Sequence, residues 1–209
     1  MKHDPKFWDR HAPGYAKRPI SDMSAYEATL DRIRTYLTPD ARVLELGCGT
    51  GGTALRLAED AGAVLATDIS EGMIEQAHKR PPAPNVTFRA ADVFDPELKD
   101  RQFDVVLALN LMHLLPDMPE FLTQVRKKVA PGGLFISKTP CLSEPGLGLK
   151  FGLLKAAIPV MQLTGHAPFV EFFRVAALEA AIAQAGFEII ETGDYPKTPT
   201  NRFVVARAL

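Results

Sequence analysis

Cysteine is scarce in this chain, and the two present, Cys48 and Cys141, lie in unrelated segments without metal-ligand spacing. A disulfide framework and a structural zinc site therefore have no support, no metal ligands are assigned, and a reducing cytoplasm is the expected setting. An excess of charge is missing too. Lys and Arg number 24 against 25 Asp and Glu, a formal net charge of -1, so no global basic field gathers nucleic acid or an anionic bilayer. Long apolar runs are absent as well. The longest stretch free of Asp, Glu, Lys and Arg, Ala156 to Val170, is broken by Pro159, Gly165, His166 and Pro168 and is too short to span a bilayer. The start, Met1 to Lys6, turns polar again before an apolar core forms, so no secretory signal is expected. No repeat or low-complexity tract is visible.

What remains is 209 residues, 46% of them apolar, enough for one compact domain over 1–209. Apolar runs of four to six residues alternate with helix-period segments, the pattern of βα units on a parallel sheet. The stretch from Phe7 to Ile20 mixes aromatics, charges, Pro13, Gly14 and Pro19, and reads as an irregular arm. A helix is expected from about Ser24, where Ser24 and Glu27 have capping-box spacing, until Pro39 stops it; arm and helix together fill 1–37. Strands are expected at Arg42 to Leu46, Ala63 to Thr67, Val86 to Arg89, Phe103 to Leu109 and Leu134 to Ser137. Between them lie helices at Thr53 to Asp60, Ser70 to Lys79 and Pro116 to Val129, and a turn at Pro131 to Gly133. The run Phe103 to Leu109 is near-continuously apolar, as a strand covered on both faces should be. Arg174 to Ala185 is a helix. Phe187 to Ile190 and Arg202 to Ala206 are joined by a connection too short for a crossover helix, so they should pair antiparallel.

Gly47-Cys-Gly49-Thr-Gly51-Gly52 follows a strand and opens a helix, where backbone N–H groups can approach a ligand closely. Gly47, Gly49 and Gly52 satisfy the dinucleotide spacing, and Asp68 at the end of the second strand could clamp a ribose, so a nicotinamide-dependent oxidoreductase is one reading. Glu45 argues for another. A carboxylate beside the loop disfavours a pyrophosphate and suits a cationic ligand. S-adenosylmethionine (SAM) carries an ammonium, a sulfonium and a ribose but no phosphate.

Val43 to Gly51 resembles motif I of the class I SAM-dependent methyltransferases. Leu65 to Ser70 is similar to their second motif, Ala90 to Phe94 to their adenine-binding turn, Phe103 to Leu115 to their strand-four motif, and Leu134 to Lys138 to strand five. The resemblance, to the small-molecule type, implies a Rossmann-like α/β fold with a doubly wound, seven-stranded, mostly parallel sheet and an antiparallel C-terminal pair. It implies that Gly47 and Gly49 pass close to the methionine part of SAM, with Cys48 between them as a small filler, and that Glu45 orients the amino end. Asp68 would hold the ribose hydroxyls, Ile69 and Met73 would pack on the adenine, and Asp92 and the Val93 N–H would meet its edge. The Asn110 carbonyl would line the methionine side. Loop-end capping by Asp68 and Asp92 and a plain core role for Met73 are the alternatives, and a non-catalytic SAM-binding protein is the alternative function.

Methyl transfer needs an acceptor aligned with the S–CH3 bond and relieved of any proton. His113, just beyond strand four, is the candidate base or acceptor-orienting group, or else a polar residue starting a helix; His166 is the second candidate. His3, His11 and His78 read as solvated. Tyr15 matches the place where relatives fold an arm over the cofactor, and the arm is expected to be a mobile cover; otherwise Phe7, Trp8 and Tyr15 simply anchor it. Lys138 stands where many relatives carry an acid. The apolar run Gly146 to Leu163, within 139–173, reads as a packing helix, as a lid over an apolar acceptor pocket through Phe151, Leu154, Ile158, Met161, Phe169 and Phe172, or as a segment resting on a bilayer through Lys150 and Lys155. The acceptor is expected to be a small molecule; with no basic, aromatic-interleaved face, nucleic acid is not expected.

Overall fold

The computed structural model describes residues 5–98, 101–145 and 148–209, without the side chains of 148–150, 153, 154, 156 and 163. His3, Gly146 and Leu147, and the side chains of Lys150 and Leu154, lie outside the described residues. Seven strands form one sheet: β1 (Arg42–Leu46), β2 (Ala63–Asp68), β3 (Val86–Ala90), β4 (Phe103–Leu109), β5 (Val129–Pro140), β6 (Phe187–Asp194) and β7 (Asn201–Ala208). Their order is β3-β2-β1-β4-β5-β7-β6. The first five are parallel, and β7 runs antiparallel between β5 and β6. This is the doubly wound Rossmann-like sheet of the sequence reading. The chain reverses its direction of travel across the sheet between β1 and β4, and the crevice at the carboxyl ends of those strands is where such a sheet admits a ligand.

Both faces of the sheet are covered. Along β4, Val106 and Ala108 join one apolar layer with Leu44, Phe121 and Phe135, while Val105 and Leu107 join the other with Val43, Leu30 and Ile136. The two-sided burial explains the unbroken apolar run. No helix among the described residues is long and apolar enough to cross a membrane.

Four local expectations are corrected. The arm is not irregular: Lys6–Ala16 is a helix, α1, despite Pro13 inside it. Packing outweighs the proline. Asp9 Oδ1 accepts from Ser70 Oγ (2.6 Å) and from Gly72 N (3.1 Å), Ala12 is fully buried, and a Cβ on Gly72 would sit 3.1 Å from Asp9 Cα. The next helix, α2 (Met23–Arg34), is capped by Asp22, which accepts from Ala25 N at 2.9 Å, rather than by Ser24, and it ends well before Pro39. The helix expected over 53–60 breaks into α3 (Gly52–Arg56) and a 3-10 turn, Ala58–Asp60, because Asn85 Nδ2 donates to the carbonyls of Ala58 and Ala61. The expected turn at 131–133 is a bulge inside β5, since Phe103 pairs with Val129 and Val105 with Leu134.

The remaining helices are α4 (Glu71–His78), capped by Ser70, α5 (Met118–Lys128), α6 (Gly148–Leu163) and α7 (Val175–Gln184). The C-terminal strands pair antiparallel but run longer than expected, because Thr192 and Gly193, which look like loop residues, continue the ladder opposite Val204 and Phe203.

Candidate active site

The glycine loop leaves β1 through two left-handed residues, Gly47 (φ 67°) and Gly49 (φ 55°), and Gly51 (φ 74°) starts α3. At Gly51 a Cβ would lie 2.5 Å from the Phe88 ring, so both backbone angle and space demand glycine. Asp68 ties this loop to the next one. Its Oδ2 accepts from Gly49 N at 2.8 Å and its Oδ1 from Ser70 N at 2.9 Å, yet burial still raises its pKa from the ordinary aspartate value.

Glu45 is 3% exposed, and its Oε2 is buried without a hydrogen-bond partner. Burial outweighs a hydrogen bond from the Ala54 N–H and pushes its pKa up to about 8. Cys48 is buried, its thiol pushed up by burial and its Sγ facing Gly49 O at 3.7 Å, which fits an inert filler. Toward β3, Met73 and Val93 are buried and Asp92 Oδ1 accepts from Phe94 N at 2.9 Å. Ile69, Ala91, Asp92 and Phe94 edge a recess of about 430 Å³.

Beyond β4, Asn110 adopts φ 56°, donates its N–H to Lys138 O (2.7 Å) and accepts from Asn201 Nδ2 (3.1 Å). His113 sits on a 3-10 turn, Met112–Leu114. Its Nδ1 is buried without a partner, and burial lowers its pKa to about 4, so the imidazole is neutral at neutral pH. The Tyr15 ring approaches Gly49: a Cβ there would lie 3.8 Å from Tyr15 Cε1.

A single cavity of about 1360 Å³ brings together all of these candidates, namely Tyr15, Glu45, Gly47, Cys48, Gly49, Asp68, Ile69, Met73, Asp92, Val93, Asn110 and His113. It does not include His166, which is exposed and bonded through Nδ1 to Thr164 Oγ1. His11, expected to be solvated, stacks on Phe7 at 4.2 Å, while His78 is exposed. The face of α6 also differs from expectation. Pro159 and Gln162 line the cavity, with Phe169 beyond the helix, while Phe151, Ile158, Met161 and Phe172 do not. Lys155 is turned onto the protein, donating to Ser143 Oγ and lying 4.8 Å from the Phe172 ring centroid. Lys138, Thr29, Arg10 and Arg18 line the cavity without having been assigned to it from sequence.

Comparison with known proteins decides the family. A methyltransferase domain family matches residues 43–133. The malonyl-[acyl-carrier protein] O-methyltransferase of Geobacter sulfurreducens is 30% identical over 191 residues, covering 85% of this chain and 70% of that protein. The chain belongs to the class I SAM-dependent methyltransferases. The highly reducing polyketide synthase PKS2 of Leptosphaeria maculans is 34% identical over 149 residues, 61% of this chain, but the methyltransferase spans only 6% of that protein's length. Among solved structures, the complex of DhpI with S-adenosylhomocysteine (SAH) superposes with a TM-score of 0.75 at 26% identity, covering 97% of this chain and 94% of that one. The chain is thus a SAM-dependent methyltransferase domain, and the cofactor of that family is SAM. That closes the dinucleotide alternative left open by the glycine spacing.

Proposed function

We propose that the methyltransferase holds SAM over the carboxyl ends of β1, β2 and β3 and methylates a small, partly apolar acceptor admitted over β4 and β5. The observation that carries the reading is the buried, unpartnered Glu45 Oε2 beside the glycine loop. A carboxylate so placed is costly unless a cationic group meets it, and the ammonium of SAM is such a group. Gly47 and Gly49 leave room for the methionine part, Cys48 fills space behind them, and the Asn110 carbonyl lines the same end. Asp68 takes the ribose hydroxyls. Ile69 and Met73 pack on the adenine, whose edge meets Asp92 and the Val93 N–H. When bound, SAM supplies a methyl group on a sulfonium, open to in-line displacement.

The chain's own contribution is then alignment and exclusion of water. His113, neutral through burial, orients the acceptor by a hydrogen bond from or to Nδ1; so low a pKa suits positioning better than proton removal. Tyr15 on α1 covers the cofactor at Gly49. Phe169, Pro159 and Gln162 from 139–173 close the acceptor side.

Labelled SAM offered with small thiols, phenols, amines, carboxylates and quinols should yield a methylated product. Phe169→Ala should raise the acceptor KM about fivefold, a loss of about 1 kcal/mol for an exposed ring that the acceptor would partly cover, with SAM affinity unchanged. Equal losses for SAM and acceptor, or no turnover with any class, would contradict the assignment.

A further inference from the structure

We infer that Lys138 forms a subsite for an oxyanion, above all a carboxylate, on the acceptor; this rests on the cleft assignment above and extends it to the charge of the substrate. Lys138 lies at the end of β5, paired with Leu109 of β4 and Phe203 of β7, and lines the cavity although only 6% exposed. Its Nζ donates to Thr29 Oγ1 at 3.0 Å. Thr29 Oγ1 spends its own proton on Ala25 O (2.7 Å), so it presents a lone pair to the ammonium. One neutral hydroxyl thus serves a group with three donors. No carboxylate of the described residues bonds to Nζ; Asp22 acts only from a distance, and burial outweighs it and lowers the lysine's pKa. A buried ammonium with so little compensation is stabilised by an anion that enters beside it.

The sheet order gives that anion its place. Glu45 on β1, Asp68 on β2 and Asp92 after β3 put the cavity's carboxylates over one half of the sheet. Lys138 on β5 stands over the other, with the neutral Asn110 and His113 after β4 between them. Leu109, the register partner of Lys138, and Pro140, two residues further along β5, supply apolar surroundings on the lysine side. Lys6, Arg10, Arg18 and Arg80 line the cavity from outside the sheet, so among the charges carried at the strand ends the carboxylates lie on the cofactor half and Lys138 is the cation on the acceptor half.

The test is calorimetric binding of three matched pairs, phenylacetate and phenylacetamide, octanoate and octanamide, benzoate and benzamide, to the whole chain with and without SAH. At least one carboxylate should bind about tenfold or more tighter than its amide, as a charged hydrogen bond allows. Lys138→Met should abolish the preference, Lys138→Arg should retain it, and both should keep SAH affinity within about twofold. Lys138→Gln serves the same comparison if the methionine variant does not fold. The inference is overturned if no carboxylate outbinds its amide, if Lys138→Met keeps the preference, or if that variant loses SAH affinity instead, which would put the ammonium on the cofactor's own carboxylate. Failure of the unmodified chain to bind SAH would strike the cleft assignment, while the carboxylate preference would still be read without SAH.

Discussion

Replacing Asp68 by alanine is expected to weaken SAH binding by about 1–3 kcal/mol, the cost of leaving buried hydrogen-bonding groups without partners. Asp68 stands at the join of two loops. One carboxylate oxygen fixes Gly49 in the glycine loop and the other fixes Ser70, which caps α4. Its removal takes away the proposed ribose acceptor and also frees the Gly49 N–H, loosening the loop against which the methionine part is to lie. Asp68→Asn keeps one acceptor oxygen and should lose less. Calorimetry on folded variants checks this, and an unchanged affinity in Asp68→Ala would remove Asp68 from the cofactor site.

Glu45→Gln should move stability and binding in opposite directions. In the unliganded protein burial lifts Glu45 from 4.5 to about 8, so the folded chain holds a proton that the unfolded chain has lost across that window. Its contribution to stability is fully present below the ordinary value and is lost as pH rises toward 8. His113 acts with the other sign. Lowered from 6.5 to about 4, it costs stability as pH falls through that range, so the window from 6.5 to 8 is free of it. There the unliganded wild type should lose thermal stability with rising pH relative to Glu45→Gln. The same variant should bind SAH more weakly by about 1.5–3 kcal/mol, because a neutral amide replaces the carboxylate opposite the ammonium. Parallel melting curves at pH 6.5 and 8, or an undiminished affinity, would contradict the proposed role.

What could be read from sequence followed how local the cause was. β1 and β4 match their expected limits residue for residue, because both are largely buried runs that stop at Gly47 and Asn110. The glycine loop, Asp68 and Asp92 are equally legible, since each sits within a few residues of a strand end. Helix α1 was not. Pro13 and Gly14 argue locally against it, and what holds it, Asp9 against Ser70 and Gly72, lies about sixty residues away. The pairing of Lys138 with Thr29 spans 109 positions and leaves no local mark. The apolar residues of helix α6 are not gathered on one side, so its sequence selects no face, and the residues that reach the cavity are Pro159 and Gln162 rather than the larger Phe151 and Met161.

The cleft assignment is tested most directly by amide hydrogen exchange on the whole chain with and without SAH. Slower exchange is expected at 47–52, 68–73 and 92–94, and in α1 around Tyr15, with little change in β6 and β7. Unchanged exchange in the glycine loop and at 68–73, under conditions where SAH is bound, would contradict it.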